Sequence, residues 1–401
     1  MKSTDNFKGG VILVPTRNRP DLAKNAIQSV LSQPERNVRV IVSDNSTSPE
    51  HSNLLSTYCS ELREERLDYI QPPRPLQMSQ HWDWALQEAL KLEFDHFAFL
   101  SDRMVFRPNA LSKVLKLVER HPDKILTYVH DRVIDFRRPF TIYLNEWTGR
   151  LYEVDSTRLL ALSADSIIYD RSCPRMLNCF VPRSILSAIK NRFGTVFSSI
   201  APDWNFTYRA LEVVDSVLYY NAPALVHYAL TRSNGESAHR GIKNETYTDF
   251  IRELPKPVNI DAPFPEIITV WNAIISEYCC VKKEAQSQKF PELDMGKYVE
   301  ALADGVDAIE DPQFKQQMKE ELMARGWDPK ASARPRQPSL ARKLVSPGRI
   351  FHKLRILVNP VTFDDADQAL KYAVKHPRRK SKVVAWEEAL HRGTEVPIQL
   401  A

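Results

Sequence analysis

Glycine is scarce in this chain, at 11 of 401 residues against 27 prolines. That scarcity excludes a Gly-rich low-complexity chain. The stretch Pro15–Pro20 contains no glycine at all, so no Gly-rich loop follows the first apolar run to cradle a triphosphate. Cysteine is sparse as well. Cys59, Cys173, Cys179, Cys279 and Cys280 make no CxxC pair and no metal-ligand spacing, which excludes a disulfide framework and reads as free thiols in a reducing compartment. No run approaches 18 consecutive apolar residues, so no membrane span is expected. Met1 to Gly10 is polar and lacks the regions of a signal peptide, which points to a cytoplasmic location. No internal repeat is evident.

What is present is an ordinary globular composition, 43% hydrophobic, in a chain long enough for two or three domains. The net charge of +5 is unevenly spread. From Pro329 to Lys382 there are 14 Lys/Arg against 3 Asp, so the rest of the chain is mildly acidic. Three regions follow: a layered domain over 1–250, a helically patterned region over 251–328, and a basic, Pro-containing tail over 329–401. Within the tail, 340–357 mixes arginine and lysine with leucine, isoleucine and phenylalanine. Such a segment either lies on an anionic membrane surface or docks as a solvated basic tail on the acidic body. No aromatic-interleaved basic sheet supports nucleic-acid binding.

Val11–Val14 reads as a buried parallel strand, broken by Pro15-Thr-Arg-Asn-Arg-Pro20. Leu22, Ala26, Ile27, Val30 and Leu31 then recur at helical spacing, and Val38–Val42 is a second buried strand ending in Ser43-Asp44-Asn45-Ser46. This strand–helix–strand unit predicts an α/β layered fold. Helices are expected over 49–63, 81–92, 109–119, 182–190 and 204–212. Strands are expected over 97–100, 216–220 and 224–230. The interval 131–170 reads as irregular loops and short strands, and 231–240 as a polar, mobile loop. In open α/β sheets ligands bind beyond the carboxyl ends of the strands, and three such ends carry polar groups: Pro15–Arg19, Ser43–Ser46 and Ser101–Arg103.

These blocks, with Leu76–Trp82, Phe99–Met104, Pro108–Leu111, Ala201–Phe206 and Arg209-Ala-Leu, resemble family 2 glycosyltransferases of the GT-A fold over roughly residues 10–240. The resemblance implies an inverting enzyme. It would move a sugar from a nucleotide-diphosphate sugar to a hydroxyl of a glycan or lipid-linked acceptor, as in surface polysaccharide synthesis. It sets Pro15, Thr16, Arg17 and Asp44 against the nucleotide, with Asp44 accepting from a base or ribose; the plainer alternative is an Asx turn at Asp44. Asn18 and Arg19 read as turn and surface residues. Most relatives hold Mg²⁺ or Mn²⁺ on an acidic DxD. Here Ser101-Asp102-Arg103 keeps a single carboxylate, so either Asp102 binds a metal with help from a group such as His227, or Arg103 neutralises the diphosphate directly. A surface turn is the alternative. Asp203 is the expected general base, its alternative being a helix N-cap. Trp204 lines the acceptor site or is core. His239 and Arg240 belong to a segment able to close over the donor, and Arg171, Arg175 and Asn178 face the acceptor. The competing function is an inactive GT-A-like protein that binds nucleotide sugars, and a nucleotidyltransferase ranks last.

Overall fold

The computed structural model describes residues 7–167, 171–240, 261–327, 361–381 and 394–396, together with 248, 250 and 252. The chain opens with β1 (Gly10–Thr16), α1 (Pro20–Leu31), β2 (Val38–Asp44), α2 (Pro49–Glu61) and β3 (Leu67–Ile70). Then come α3 (Met78–Ala89), β4 (His96–Phe99), β5 (Met104–Phe106) and α4 (Ala110–Arg120). A second group comprises β6 (Leu126–Ile134), β7 (Thr141–Tyr143), β8 (Leu151–Asp155), α5 (Ser156–Ala164), β9 (Cys179–Pro182) and α6 (Arg183–Phe193). It is completed by α7 (Pro202–Val213), β10 (Ser216–His227) and the short helix α8 (Asn234–Arg240). The C-terminal region contributes α9 (Val270–Ala285), α10 (Met295–Asp307), α11 (Pro312–Ala324), α12 (Ala366–Lys375) and β11 (Thr394–Val396).

One mixed sheet runs in the order β11-β8-β10-β6-β9-β4-β1-β2-β3, with β5 paired to β10 and β7 to β6. β1, β2, β3 and β4 are parallel, and in register Val14 lies beside Val42 and Leu13 beside Phe99. Both faces of β1 are covered, as its unbroken apolar sequence requires. On one face α1 starts with Pro20 in its first turn and buries Leu22, Ala23, Ala26, Ile27 and Val30. Each of its larger apolar side chains stabilises the fold by about 1.5–3 kcal/mol. On the other face α3 contributes Trp82, Ala85 and Leu86 to the larger core, which also holds α5, α7 and α9.

Several elements lie where the hydrophobic pattern gives little sign of them. β6 carries His130, Asp131 and Arg132 in the middle of a largely buried strand. The burial of Asp131 rests on Arg107, 2.5 Å away and itself buried. A pair of charges matched across 24 residues leaves no apolar periodicity to read. β10 is one strand where two were expected, because its register shifts around Pro223 and the chain continues beyond the irregularity. The interval 131–170 holds the short strands expected of it, β7 and β8, and in addition the helix α5.

The polar stretch expected as a mobile loop is ordered as a turn of 3₁₀ helix (Leu230–Arg232) followed by α8. It is tied down by Arg232 to Asp21 at 2.5 Å and by Arg19 donating to the Arg232 carbonyl.

The C-terminal segments pack on the same body. Ala369, Leu370 and Ala373 of α12 join Val105, Val133, Val226 and Tyr228 in a third core cluster. Arg107 donates to the carbonyls of Ala373 and Val374, and Arg378 pairs with Glu146 at 2.6 Å. Residues 361–381 are therefore part of the layered body rather than a free tail. The basic, apolar segment 340–357 lies outside the described residues. Among the described residues no helix is long and apolar enough to cross a membrane.

Candidate active site

The carboxyl ends of β1 and β4 open into a cleft of about 1860 Å³, closed on its far side by the start of α7. Pro15, Thr16, Arg17, Ser101, Asp102, Arg103, Asp203, Trp204 and His227 all line it, as do Arg171, Arg175 and Asn178. Among the described residues eight arginines face this space against five carboxylates, so this lining is electropositive although the chain outside the tail is mildly acidic.

The turns that end β1 and β2 are stitched together by asparagines. Asn18, in the left-handed region at φ 54°, accepts from the backbone N–H groups of Thr47 and Ser48 through Oδ1. Asn45 donates to the Leu76 carbonyl and accepts from the Leu76 N–H, fixing the chain that leads into α3. Asn18 is thus the turn residue expected of it.

Asp44 occupies a different place from its neighbours. It is buried below the cleft and does not line it. Its Oδ1 accepts from the Ser46 N–H and hydroxyl, and its Oδ2 from Ser52 at 2.9 Å and Tyr69 at 2.7 Å. The Asx turn is present, and the carboxylate braces the strand ends with hydroxyls from α2 and β3. This pattern is the structural alternative weighed for Asp44, and it leaves few lone pairs for a base or ribose.

Asp102 is fully buried and engaged from two sides. Thr16 Oγ1 donates to its Oδ2 at 2.9 Å, and Arg19 Nε stands 2.8 Å from the same oxygen. The arginine approach is off line for a hydrogen bond, so charge holds that pair. Arg19, expected on the surface, is therefore a central residue of the site; its position one residue before α1, at a strand end, was the available signal. Arg103 Nε lies 4.0 Å from Asp102, and its Nη1 lies 2.6 Å from His227 Nε2. A guanidinium only donates, so that ring nitrogen accepts and His227 is neutral. Burial and the surrounding arginines hold its pKa well below the ordinary histidine value. Burial also lowers Arg103, to about 10.

A divalent cation fits this donor set poorly. Mg²⁺ and Mn²⁺ want several oxygen ligands, while here the one carboxylate is engaged by Arg19 and Thr16 and the adjacent imidazole is engaged by Arg103. Among the described residues no group of three His, Cys, Asp or Glu is arranged to hold a metal ion.

Asp203 lies inside the first turn of α7 rather than at its cap; the cap is Ala201 and Pro202 opens the helix. Its carboxyl is enclosed by protein yet open to the cleft. Burial raises its pKa above the ordinary aspartate value, while Arg175, the N–H groups of Asp203 and Trp204, and Arg103 pull the other way. The influence of Arg103 on Asp203 joins this acid to the Asp102 cluster electrostatically.

What holds Asp203 in place comes from the C-terminal region. Ala201 has no side chain to cap α7, and Glu277 of α9 supplies the missing groups. Its Oε1 accepts from the Ala201 N–H and its Oε2 from Asn205 Nδ2, each at 2.9 Å. Glu277 is wholly buried, and that burial pushes its pKa up to about 7, with the neighbouring Asp203 charge adding to the rise. No motif marks this residue. The only sequence signal is a glutamate set in the apolar stripe of Ile274, Tyr278, Val281 and Ala285.

Trp204 is nearly buried, packs beside Tyr208, and carries the Arg175 guanidinium 5.6 Å from its ring centre. Arg240 sits over Phe136 and pairs with Glu310, outside the cleft lining. The side chain of His239 lies outside the described residues.

Comparison with known proteins finds several that are similar to this chain. Protein CgeD of Bacillus subtilis (strain 168) is 21% identical over 197 residues, spanning 48% of this chain and 43% of the relative, so the chain spans less than half of that protein's length. Two crystal structures of residues 1–349 of S. aureus TarS are similar over 77% of this chain and 83% of theirs. The complex with UDP-GlcNAc shows 13% identity and a TM-score of 0.44, and the complex with UDP 14% and 0.43. The family model for glycosyl transferase family 2 matches residues 11–178, which cover β1 to β4 and the Asp102 strand end. That segment, with its parallel β1–β4 core, is thus similar to glycosyl transferase family 2.

Proposed function

We propose that this protein is an inverting glycosyltransferase that moves a sugar from a nucleotide-diphosphate sugar to a hydroxyl of a glycan or lipid-linked acceptor. The observation that carries the reading is the placement of Asp203 in the same cleft as Thr16, Asp102 and Arg103, with Arg103 close enough to influence its charge. The donor lies with its nucleotide toward Pro15, Thr16 and Arg17 and its diphosphate toward Arg103. Asp203 faces the acceptor hydroxyl. As the acceptor oxygen bonds to the anomeric carbon, the bond from that carbon to the diphosphate oxygen breaks and its electron pair leaves with the nucleotide diphosphate. The acceptor proton passes to the Asp203 carboxylate. Because burial already makes this acid a better base than a surface aspartate, one oriented carboxylate suffices. Trp204 and Arg175 form the acceptor side, and the ordered 3₁₀ turn and α8 help to exclude water.

The support for Asp44 is indirect: its hydroxyl network fixes the strand ends against which the nucleotide lies. A second reading, a nucleotide-sugar binder without turnover, is favoured by the engagement of Asp102 with Arg19. Hydrolysis and transfer of a panel of nucleotide sugars, by the native protein and by Asp203→Asn, separates the two. Turnover by the native protein and its loss in the variant is the expected result. Equal nucleotide binding by both proteins with turnover by neither would establish the second reading.

A further inference from the structure

Resting on the transferase reading, we propose that a guanidinium pair, Arg103 and Arg19 with Asp102 between them, holds the donor diphosphate and offsets its charge without a divalent cation. The charge count at the strand end is the starting point. Asp102 needs one cation and has it in Arg19 at 2.8 Å. Arg103, at 4.0 Å, is surplus to that pairing, and the partner of its Nη1 is a neutral imidazole. Its Nε is buried and donates to nothing among the described residues. A buried guanidinium with an unused donor costs stability unless an anion completes it. The three side chains together carry one net positive charge where an acidic metal site would be net negative before its ion binds.

The cleft chemistry agrees. Among the described residues its cationic lining consists of arginine without a single lysine, and a guanidinium matches two phosphate oxygens with parallel N–H groups. Asp102 then serves as the pin that sets Arg19 across from Thr16, joining the ends of β1 and β4, instead of as a metal ligand. When the bond from the anomeric carbon to the diphosphate breaks, the charge gathering on the diphosphate oxygen is met by donors already in place.

The test is calorimetric titration of UDP, GDP and CDP in turn into the full chain, once with EDTA and once with Mn²⁺. At least one nucleotide should bind with the same affinity, within about twofold, in both conditions. Arg103→Ala should weaken that affinity roughly ten- to hundredfold, and Arg103→Lys by less, since it keeps the charge and loses the fork. Arg103→Asp, which restores a second carboxylate, should lose affinity in EDTA and recover part of it with Mn²⁺. Thermal unfolding of each variant reports whether it is folded, and the native comparison needs no variant. Binding by the native protein in Mn²⁺ alone would overturn the proposal while leaving the transferase reading intact, as would an Arg103→Ala variant with native affinity. Failure of every nucleotide to bind in either condition would instead remove the transferase reading, and this proposal with it.

Discussion

The wall of the cleft proposed to hold the donor, here the donor wall, is built from turns within the first 105 residues, whereas the wall that carries Asp203 depends on a helix far along the chain. Thr16 and Asp102 meet because β1 and β4 are adjacent parallel strands, a neighbourhood dictated by repeated βα units. Asp203 stands where it does because Asn205 and the Ala201 N–H reach Glu277, 72 and 76 residues away. The first wall is arranged by topology and the second by one buried acid. A change to the donor wall should therefore act on nucleotide affinity, and a change to the far wall on turnover.

The largest break in that comparison is Asp203→Asn. Loss of the base should lower kcat by about 10²–10⁴ while the nucleotide dissociation constant stays near native. A parallel loss of nucleotide affinity would show that the two walls do not divide the work. Glu277→Ala should come next, lowering kcat roughly ten- to hundredfold with little change in nucleotide affinity, since it loosens the start of α7 without touching the donor wall. Glu277→Gln, which keeps the shape and one acceptor, should recover much of that loss.

The acid at Glu277 also makes a pH prediction. Its folded pKa of about 7 lies above the ordinary 4.5, so the native state holds the proton longer than the unfolded chain does. Stability should fall as pH rises from about 4.5 to about 7, this residue contributing on the order of 3 kcal/mol of the fall. Urea titrations across that range should show a smaller decline in Glu277→Gln. The raised Asp203 works the other way on activity, because only its deprotonated form accepts a proton. kcat should drop on acidification at a higher pH than an ordinary aspartate would set. The smallest effect is expected at Asp44→Asn, which should cost about 1–3 kcal/mol of stability, since the new amide meets the Ser46 N–H or the Ser52 and Tyr69 hydroxyls. An equal loss of nucleotide affinity in a variant of native stability would return Asp44 to direct contact with the donor.

The difference between the walls also explains what could be read beforehand. β1, α1, β2 and β4 appear within a few residues of their expected bounds, because apolar runs buried on both faces and a proline-started amphipathic helix are local patterns. The cleft positions of Asp102 and Asp203 are legible for the same reason, each residue sitting at the edge of such a pattern. Arg19 was misjudged because its pairing with Asp102 spans the β1–β4 contact, which charge patterning along the chain cannot show. Glu277, the Arg107–Asp131 pair inside β6, and the docking of α12 share that character. Each is a polar or charged group buried against a partner far away in sequence, so neither its burial nor its partner leaves a periodic trace.

The most direct test is a crystal structure of the full chain with a non-hydrolysable nucleotide-diphosphate sugar. The diphosphate should lie within hydrogen-bond distance of the Arg103 guanidinium, with the anomeric carbon between it and Asp203. A diphosphate bound away from Arg103, or a sugar whose reacting face points away from Asp203, would contradict the shared cleft on which donor binding and proton transfer both depend.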